Sequence, residues 1–325
     1  MTRSRRLLLA VAGATAARGL LAGARHAPAG LSDPFVRTNH QGRPVSLMAG
    51  PVLATVAAVT ACAAAPRSAL GRGALLVGLA AGALGAYDDI AGGRPEQQGD
   101  KGLRGHLAAA RQGRVSAGLV KIGGLGAAGL LASRSVAAGP LDRLTTGAVI
   151  AGTANLVNLF DLRPGRALKV GLLLGLPVLP GRAGAVLAGP VGAAAGLLPD
   201  DLRERTMLGD CGANALGGII GLGLAASTGR AGRAGLLGVV VALTVASERV
   251  SFTAVIERTP LLRELDALGR LSTRSVPRSA RCSLAQLLTR SVPRSARCSL
   301  AQLLTRSAPR SARCSLAQRP AVAPE

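Results

Sequence analysis

Apolar residues fill most of the first 250 positions, in long runs rather than at the spacing of a one-sided helix or strand. After an initial run ending near residue 27, they cover about residues 49–65, 71–87, 115–133, 144–160, 167–180, 183–198, 212–228 and 234–247. Apolar runs of roughly 17–20 residues between Arg-rich loops suit helices that cross a bilayer. The Gly and Pro inside them fit that reading, because neighbouring helices can satisfy the freed backbone groups. The first run follows Arg3, Arg5 and Arg6, a layout shared with signal peptides. No clear cleavage site follows it, which favours a first membrane helix interrupted by Arg18. The fold expected for residues 1–250 is therefore all-α, a polytopic helical membrane protein with about nine transmembrane helices and cytoplasmic active-site loops.

The pattern changes twice towards the C-terminus. Residues 248–270 are charged and amphipathic, and residues 251–270 are expected to lie along the membrane interface. From residue 271 the chain repeats itself. The unit Ser-Val-Pro-Arg-Ser-Ala-Arg-Cys-Ser-Leu-Ala-Gln recurs every 16 residues from Ser275 and Ser291, and a third copy begins at Ser307. Pro277, Pro293 and Pro309 preclude a long helix, and the period fits no heptad. Residues 271–325 are expected to form a disordered basic tail. It carries ten Arg against one Glu, so without it the net charge falls from +23 to +14.

Three polar islands break the apolar pattern. They are Ala86-Tyr-Asp-Asp-Ile90, Asn155-Leu-Val-Asn-Leu-Phe-Asp161 and Met207-Leu-Gly-Asp-Cys-Gly-Ala-Asn214. Acidic and amide side chains are expensive next to hydrocarbon, and in a membrane protein they mark functional sites by default. Counting spans places all three islands on one face. That face also holds Arg94, Lys101, Arg104, Arg111, Arg114, Arg163, Arg166, Lys169, Arg203 and Arg205. The opposite loops hold fewer basic residues, so the positive-inside rule makes the island face cytoplasmic. The same count puts the N-terminal Arg cluster outside, against that rule.

Composition narrows the function classes. A soluble core in this chain, which is 49% hydrophobic, 1% aromatic and without Trp, would rest on small aliphatics alone. A charge of +23 on a soluble protein would point to nucleic acid. Here the Arg residues sit in loops and in the tail, where anionic membrane lipid and phosphate are the expected partners and nucleic acid is not. No Cys/His cluster has zinc spacing, and the five Cys form no disulfide framework. Lys121 is almost the only charged residue within the helices that could line a transport path across the membrane, and the acids gather at one face, which argues against such a path.

The islands suggest metal and phosphate chemistry. Asp88 and Asp89 are adjacent, so on a helix they point about 100° apart. One can bind a cation while the other orients a ligand or takes a proton; the pair can equally be a solvated cap. Carboxylate oxygens suit Mg²⁺ or Mn²⁺, usually as one or two carboxylates plus substrate phosphates. Asn155, Asn158 and Asp161 are spaced i, i+3, i+6, which places them on one helical face within about 60°; hydrogen-bond glue between helices is the plainer alternative. Arg163, Arg166 and Lys169 follow and can clamp phosphate oxygens. Gly209-Asp210-Cys211-Gly212 opens a helix whose free N–H groups favour an anion, and Asp210 is either an N-cap or a metal ligand.

In combination these motifs resemble one family. Asp88-Asp89, Lys101-Gly102-Leu103, Asn155-x-x-Asn158-x-x-Asp161 and Gly209-Asp210-x-Gly212-x-x-x-Leu216-Gly217-Gly218 follow one another between apolar helices. That order is similar to the polyprenyl-phosphate hexosamine-1-phosphate transferases, including the translocase of the first lipid-linked peptidoglycan precursor. The resemblance runs from about Asn39 to Ser251, with Asn39-His40 through Gly50 resembling the first cytoplasmic loop. It implies a multi-pass enzyme of the plasma membrane that moves a sugar-1-phosphate from a UDP-sugar to a polyprenyl phosphate and releases UMP. It implies Mg²⁺ (or Mn²⁺) held by some of Asp88, Asp89 and Asp210, which are also the expected catalytic residues. Lys101, Asn155, Asn158, Asp161, Arg163, Arg166, Lys169 and His40 are the expected substrate-binding residues. A homodimer is allowed.

The chain departs from that family in three places. Pro164 stands where the family usually has a second Asp, residues 248–270 contain no His cluster, and the final span is missing or replaced by the amphipathic segment. These departures suit a divergent branch. The alternative they allow is a catalytically weakened relative that binds a nucleotide sugar or lipid-linked sugar in envelope assembly.

Overall fold

The computed structural model describes residues 2–39, 41–91, 111 and 117–270. His40, Lys101 and the repeat-bearing tail lie outside the described residues. The chain is mostly helical. The helices are α1 (Arg3–Ala24), α2 (Ala29–Ser32), α3 (Ala49–Ala64), α4 (Ala69–Ala91), α5 (Ala117–Ser133), α6 (Pro140–Leu159), α7 (Arg166–Gly175), α8 (Gly184–Leu202), α9 (Gly209–Ser227), α10 (Arg230–Arg249), α11 (Phe252–Arg258) and α12 (Pro260–Ala267).

Each expected apolar run carries a helix, but the helices differ in reach. Among the described residues, α1, α4 and α10 are long and apolar enough to cross a membrane, and α3 and α5 are apolar but shorter. The run over 167–180 holds only the ten-residue α7 and a 3-10 turn, Leu176–Val178. Ten helical residues rise about 15 Å, half of the hydrocarbon thickness. Pro177 sits in the turn that ends α7 and cannot extend its hydrogen bonding.

α9 is the centre of the bundle. Every residue from Cys211 to Gly223 is buried, against α3, α4, α6 and α8. A helix apolar all round belongs inside such a bundle. Close approach is possible because small residues face one another. A Cβ on Gly85 would lie 2.2 Å from the Asp210 carbonyl oxygen, so α4 crosses the start of α9 backbone to backbone. α1 packs on α8 in the same way, with Gly192 against Ala10 and Gly196 against Ala14. α10 is the opposite case, burying only Arg233 and Val240.

A two-stranded antiparallel hairpin, β1 (Val36–Thr38) and β2 (Pro44–Ser46), fills the expected first polar loop. Asn39 Oδ1 accepts from the Gln41 and Arg43 N–H groups, both at 2.9 Å, and shapes the turn. Asn39 Nδ2 donates to Glu204 at 2.9 Å, and the Met207 N–H donates to the Ser46 carbonyl at 3.0 Å. The hairpin therefore grips the segment that leads into α9. At the far end of the bundle, Arg6 donates to the carbonyl of Leu179 at 2.6 Å and to that of Gly181 at 3.3 Å. Arg25, at the other end of α1, reaches Asp200 at 2.7 Å.

Candidate active site

The end of α4, the turn after α6 and the start of α9 bring Asp88, Asp89, Asp161 and Asp210 to one end of the bundle. The two residues of the Asp-Asp pair do different things. Asp89 accepts from the N–H groups of Asp210 and Cys211, both at 3.0 Å, and so caps α9. Its own carbonyl accepts from Arg37 of the hairpin. Asp88 turns the other way and meets Lys121 of α5, with its Oδ2 2.5 Å from Nζ. The same Nζ also pairs with Asp210 Oδ2. All three side chains are largely buried.

Gly209 makes this arrangement possible. It has φ +61°, and the Asp89 carboxylate lies 2.8 Å from where a Cβ would stand. Any other residue would strain the backbone and push Asp89 off the helix start. The expectation that the α9 N-terminus leaves its N–H groups free for a substrate anion is corrected here. The helix does attract an anion there, but it is the protein's own Asp89 carboxylate. Asp210 is not its own cap, because the carboxylate of Asp89 fills that role.

Asp161 is not on the helical stripe that the Asn-x-x-Asn-x-x-Asp spacing suggests. α6 ends at Leu159, and Asp161 lies in a turn where its N–H donates to the Asn158 carbonyl at 2.9 Å. Asn155 and Asn158 remain on α6, half-buried. The turn runs on to Gly165 at φ +72°, whose N–H donates to the buried Asp201 at 2.7 Å. Burial holds the Asp161 carboxyl well above the usual carboxylate range. The charges of Asp201 and Asp210 add to that, and a backbone hydrogen bond from Gly209 opposes it.

The expected phosphate clamp is engaged elsewhere. The Arg166 guanidinium, almost fully buried, binds Asp266 of α12 through Nε at 2.8 Å and Nη2 at 2.9 Å, and Thr253 of α11 through Nη1 at 2.9 Å. Lys169 donates to the carbonyls of Asp266 at 2.7 Å and Leu265 at 3.1 Å, at the end of α12. Arg163 faces Glu257 at 3.4 Å.

Sequence reasoning set Lys121 aside as an isolated charge. The signal was its position in an apolar run, where a lone cation needs a partner. The residues also fit a divalent cation in one form. Two carboxylate oxygens, from Asp88 and Asp210, already converge on a single cationic atom, and hard oxygen donors suit Mg²⁺. Asp89 does not join them, because its two oxygens are taken by the backbone of α9. No group of three or more metal-ligating side chains occurs among the described residues. Any ion held here would need water or substrate oxygens to complete its shell. In comparison with known proteins, the chain matches no family model and no curated sequence.

Proposed function

We propose that this chain transfers a sugar-1-phosphate, from an N-acetylhexosamine UDP-sugar, to a polyprenyl phosphate and releases UMP. On this reading it is a multi-pass protein of the plasma membrane, its acidic end faces the cytoplasm, and it starts a lipid-linked envelope glycan. The observation that carries the proposal is the meeting of Asp88 and Asp210 on Lys121, with Asp161 in the adjacent turn. Three acids and a lysine at one end of an apolar bundle form a site for a charged headgroup rather than a path across the membrane.

The reaction then runs as follows. An oxygen of the polyprenyl phosphate attacks the sugar-bearing phosphorus of the UDP-sugar. A new P–O bond forms, the bond to the bridging oxygen breaks, and its electron pair leaves with UMP. Lys121 offsets negative charge between the two phosphates, and Asp88 and Asp210 hold its ammonium in place. Asp89 fixes the start of α9 and so sets the position of Asp210. A bound Mg²⁺ or Mn²⁺, held by Asp88 and Asp210, would supply further charge neutralisation on the diphosphate.

The test is UMP release by the purified chain truncated after Arg270, with UDP-GlcNAc, UDP-GalNAc and UDP-MurNAc-pentapeptide as donors. Release should require both the lipid phosphate and Mg²⁺, and Asp88→Asn should abolish it. Binding of a UDP-sugar by folded protein without release would favour the second reading, a weakened relative that only binds. The occupation of Arg166 and Lys169 by the C-terminal segment is what keeps that reading open.

A further inference from the structure

Residues 252–270 fold back over the turn that follows α6, and they are held there almost wholly by polar contacts. Neither α11 nor α12 has a buried residue. Leu261, Leu265 and Leu268 are 66%, 48% and 67% exposed. What fastens the segment is the bidentate Arg166–Asp266 pair, Arg166 Nη1 on Thr253, Lys169 on two carbonyls, and Arg270 Nε on the Pro164 carbonyl at 3.0 Å; Arg270 Nη2 on Asp266 Oδ1 at 2.8 Å braces the segment internally. Phe252 also stacks on Phe160, with ring centroids 5.0 Å apart. A segment with little buried apolar surface opens at low free-energy cost.

The ionic groups are also unbalanced. Arg166 and Arg270 both bind one carboxylate, Asp266, while Lys169 binds the main-chain carbonyls of Leu265 and Asp266, and Asp201 is bound to the Gly165 N–H. A planar guanidinium that grips a carboxylate through two nitrogens grips a phosphate in the same way. Asp266 has one negative charge to offer, and a phosphate group has up to two.

We propose that residues 252–270 form an anion-gated strap, in which Asp266 occupies a phosphate site made by Arg166 and Lys169 until a phosphate-class anion displaces it. The anion comes either from a lipid headgroup or from a soluble diphosphate. The proposal rests on the transferase reading for the identity of its substrate, but its test needs no turnover. When the strap lifts, the clamp expected of Arg166 and Lys169 becomes available beside Asp161, and the leucines of α12 remain free to lie on the membrane surface.

Trypsin cleavage after Arg258 and Arg263 reads the opening. The full chain is placed in phosphatidylcholine nanodiscs and treated with inorganic pyrophosphate or with chloride at matched ionic strength. A third arm uses phosphatidic acid nanodiscs without pyrophosphate. A peptide substrate in every arm corrects for effects on the protease. Cleavage that tracks the open population should rise about fivefold with at least one of the two phosphate sources, and the responding arm names the source. Asp266→Asn should raise basal cleavage to a similar degree and remove the further response. Unchanged or slower cleavage with both sources would overturn the proposal, as would a variant that cleaves like the wild type. Opening without UMP release would leave the strap standing and sink the transferase reading; release without opening would do the reverse.

Discussion

Lys121→Met lowers stability by about 3 kcal/mol, and Mg²⁺ restores most of the loss. Lys121 is the only partner the described residues offer to the side chains of both Asp88 and Asp210. Removing one member of a buried ionic cluster leaves uncompensated charge, at a cost of about 3–5 kcal/mol. The residual exposure of these side chains places the effect at the lower end of that range. With the ammonium gone, two carboxylates face the same space, and a hard divalent cation is the ligand that such a pair prefers. Thermal unfolding of the variant in detergent, with a chelator or with Mg²⁺ at matched ionic strength, measures both parts. Wild-type protein should respond to Mg²⁺ much less, because Lys121 already supplies the charge. A variant as stable as wild type, or one that ignores Mg²⁺, would remove the cation site from the account.

The second large effect separates Asp89 from Asp210. Asp89→Ala deletes the acceptor for two N–H groups at the start of α9. Loss of such a cap costs about 1–2 kcal/mol, and leaving the amides unpaired in a mostly buried site brings the total to about 2 kcal/mol or more. Asp210→Asn keeps the backbone and those hydrogen bonds and changes only the charge beside Lys121. It should leave the unfolding temperature near that of the wild type while UMP release falls about a hundredfold or more, the scale for loss of one preorganised charged group. Unfolding curves and release rates for both variants make the comparison. If Asp89→Ala unfolds like the wild type, Asp89 is not a cap, and its carboxylate returns to the set facing substrate.

The helices were legible in the sequence because most apolar runs are contiguous and bounded by Gly, Pro or charged residues. The three polar islands were legible for the same reason, since each interrupts such a run. What the sequence hid was partners. Helix geometry already sent Asp88 and Asp89 about 100° apart into different roles, but it could not say what each would meet, and here one side offers the amides of α9 and the other Lys121. Spacing put Asp161 on the stripe of Asn155 and Asn158, but Pro164 and the left-handed Gly165 belong to a turn that takes Asp161 off the helix. Arg166 looked like a free phosphate clamp because its partner, Asp266, is 100 residues away in the chain. No local pattern announces a contact of that separation.

The most direct measurement follows the sugar-bearing phosphorus. UDP-GlcNAc carrying a radioactive β-phosphate is given to the purified chain with polyprenyl phosphate and Mg²⁺, and lipid and water phases are separated. Transfer of sugar-1-phosphate puts the label in the lipid phase and leaves unlabelled UMP in the water. Label that stays entirely in the water phase, with this donor and with correspondingly labelled UDP-GalNAc and UDP-MurNAc-pentapeptide, would contradict the account.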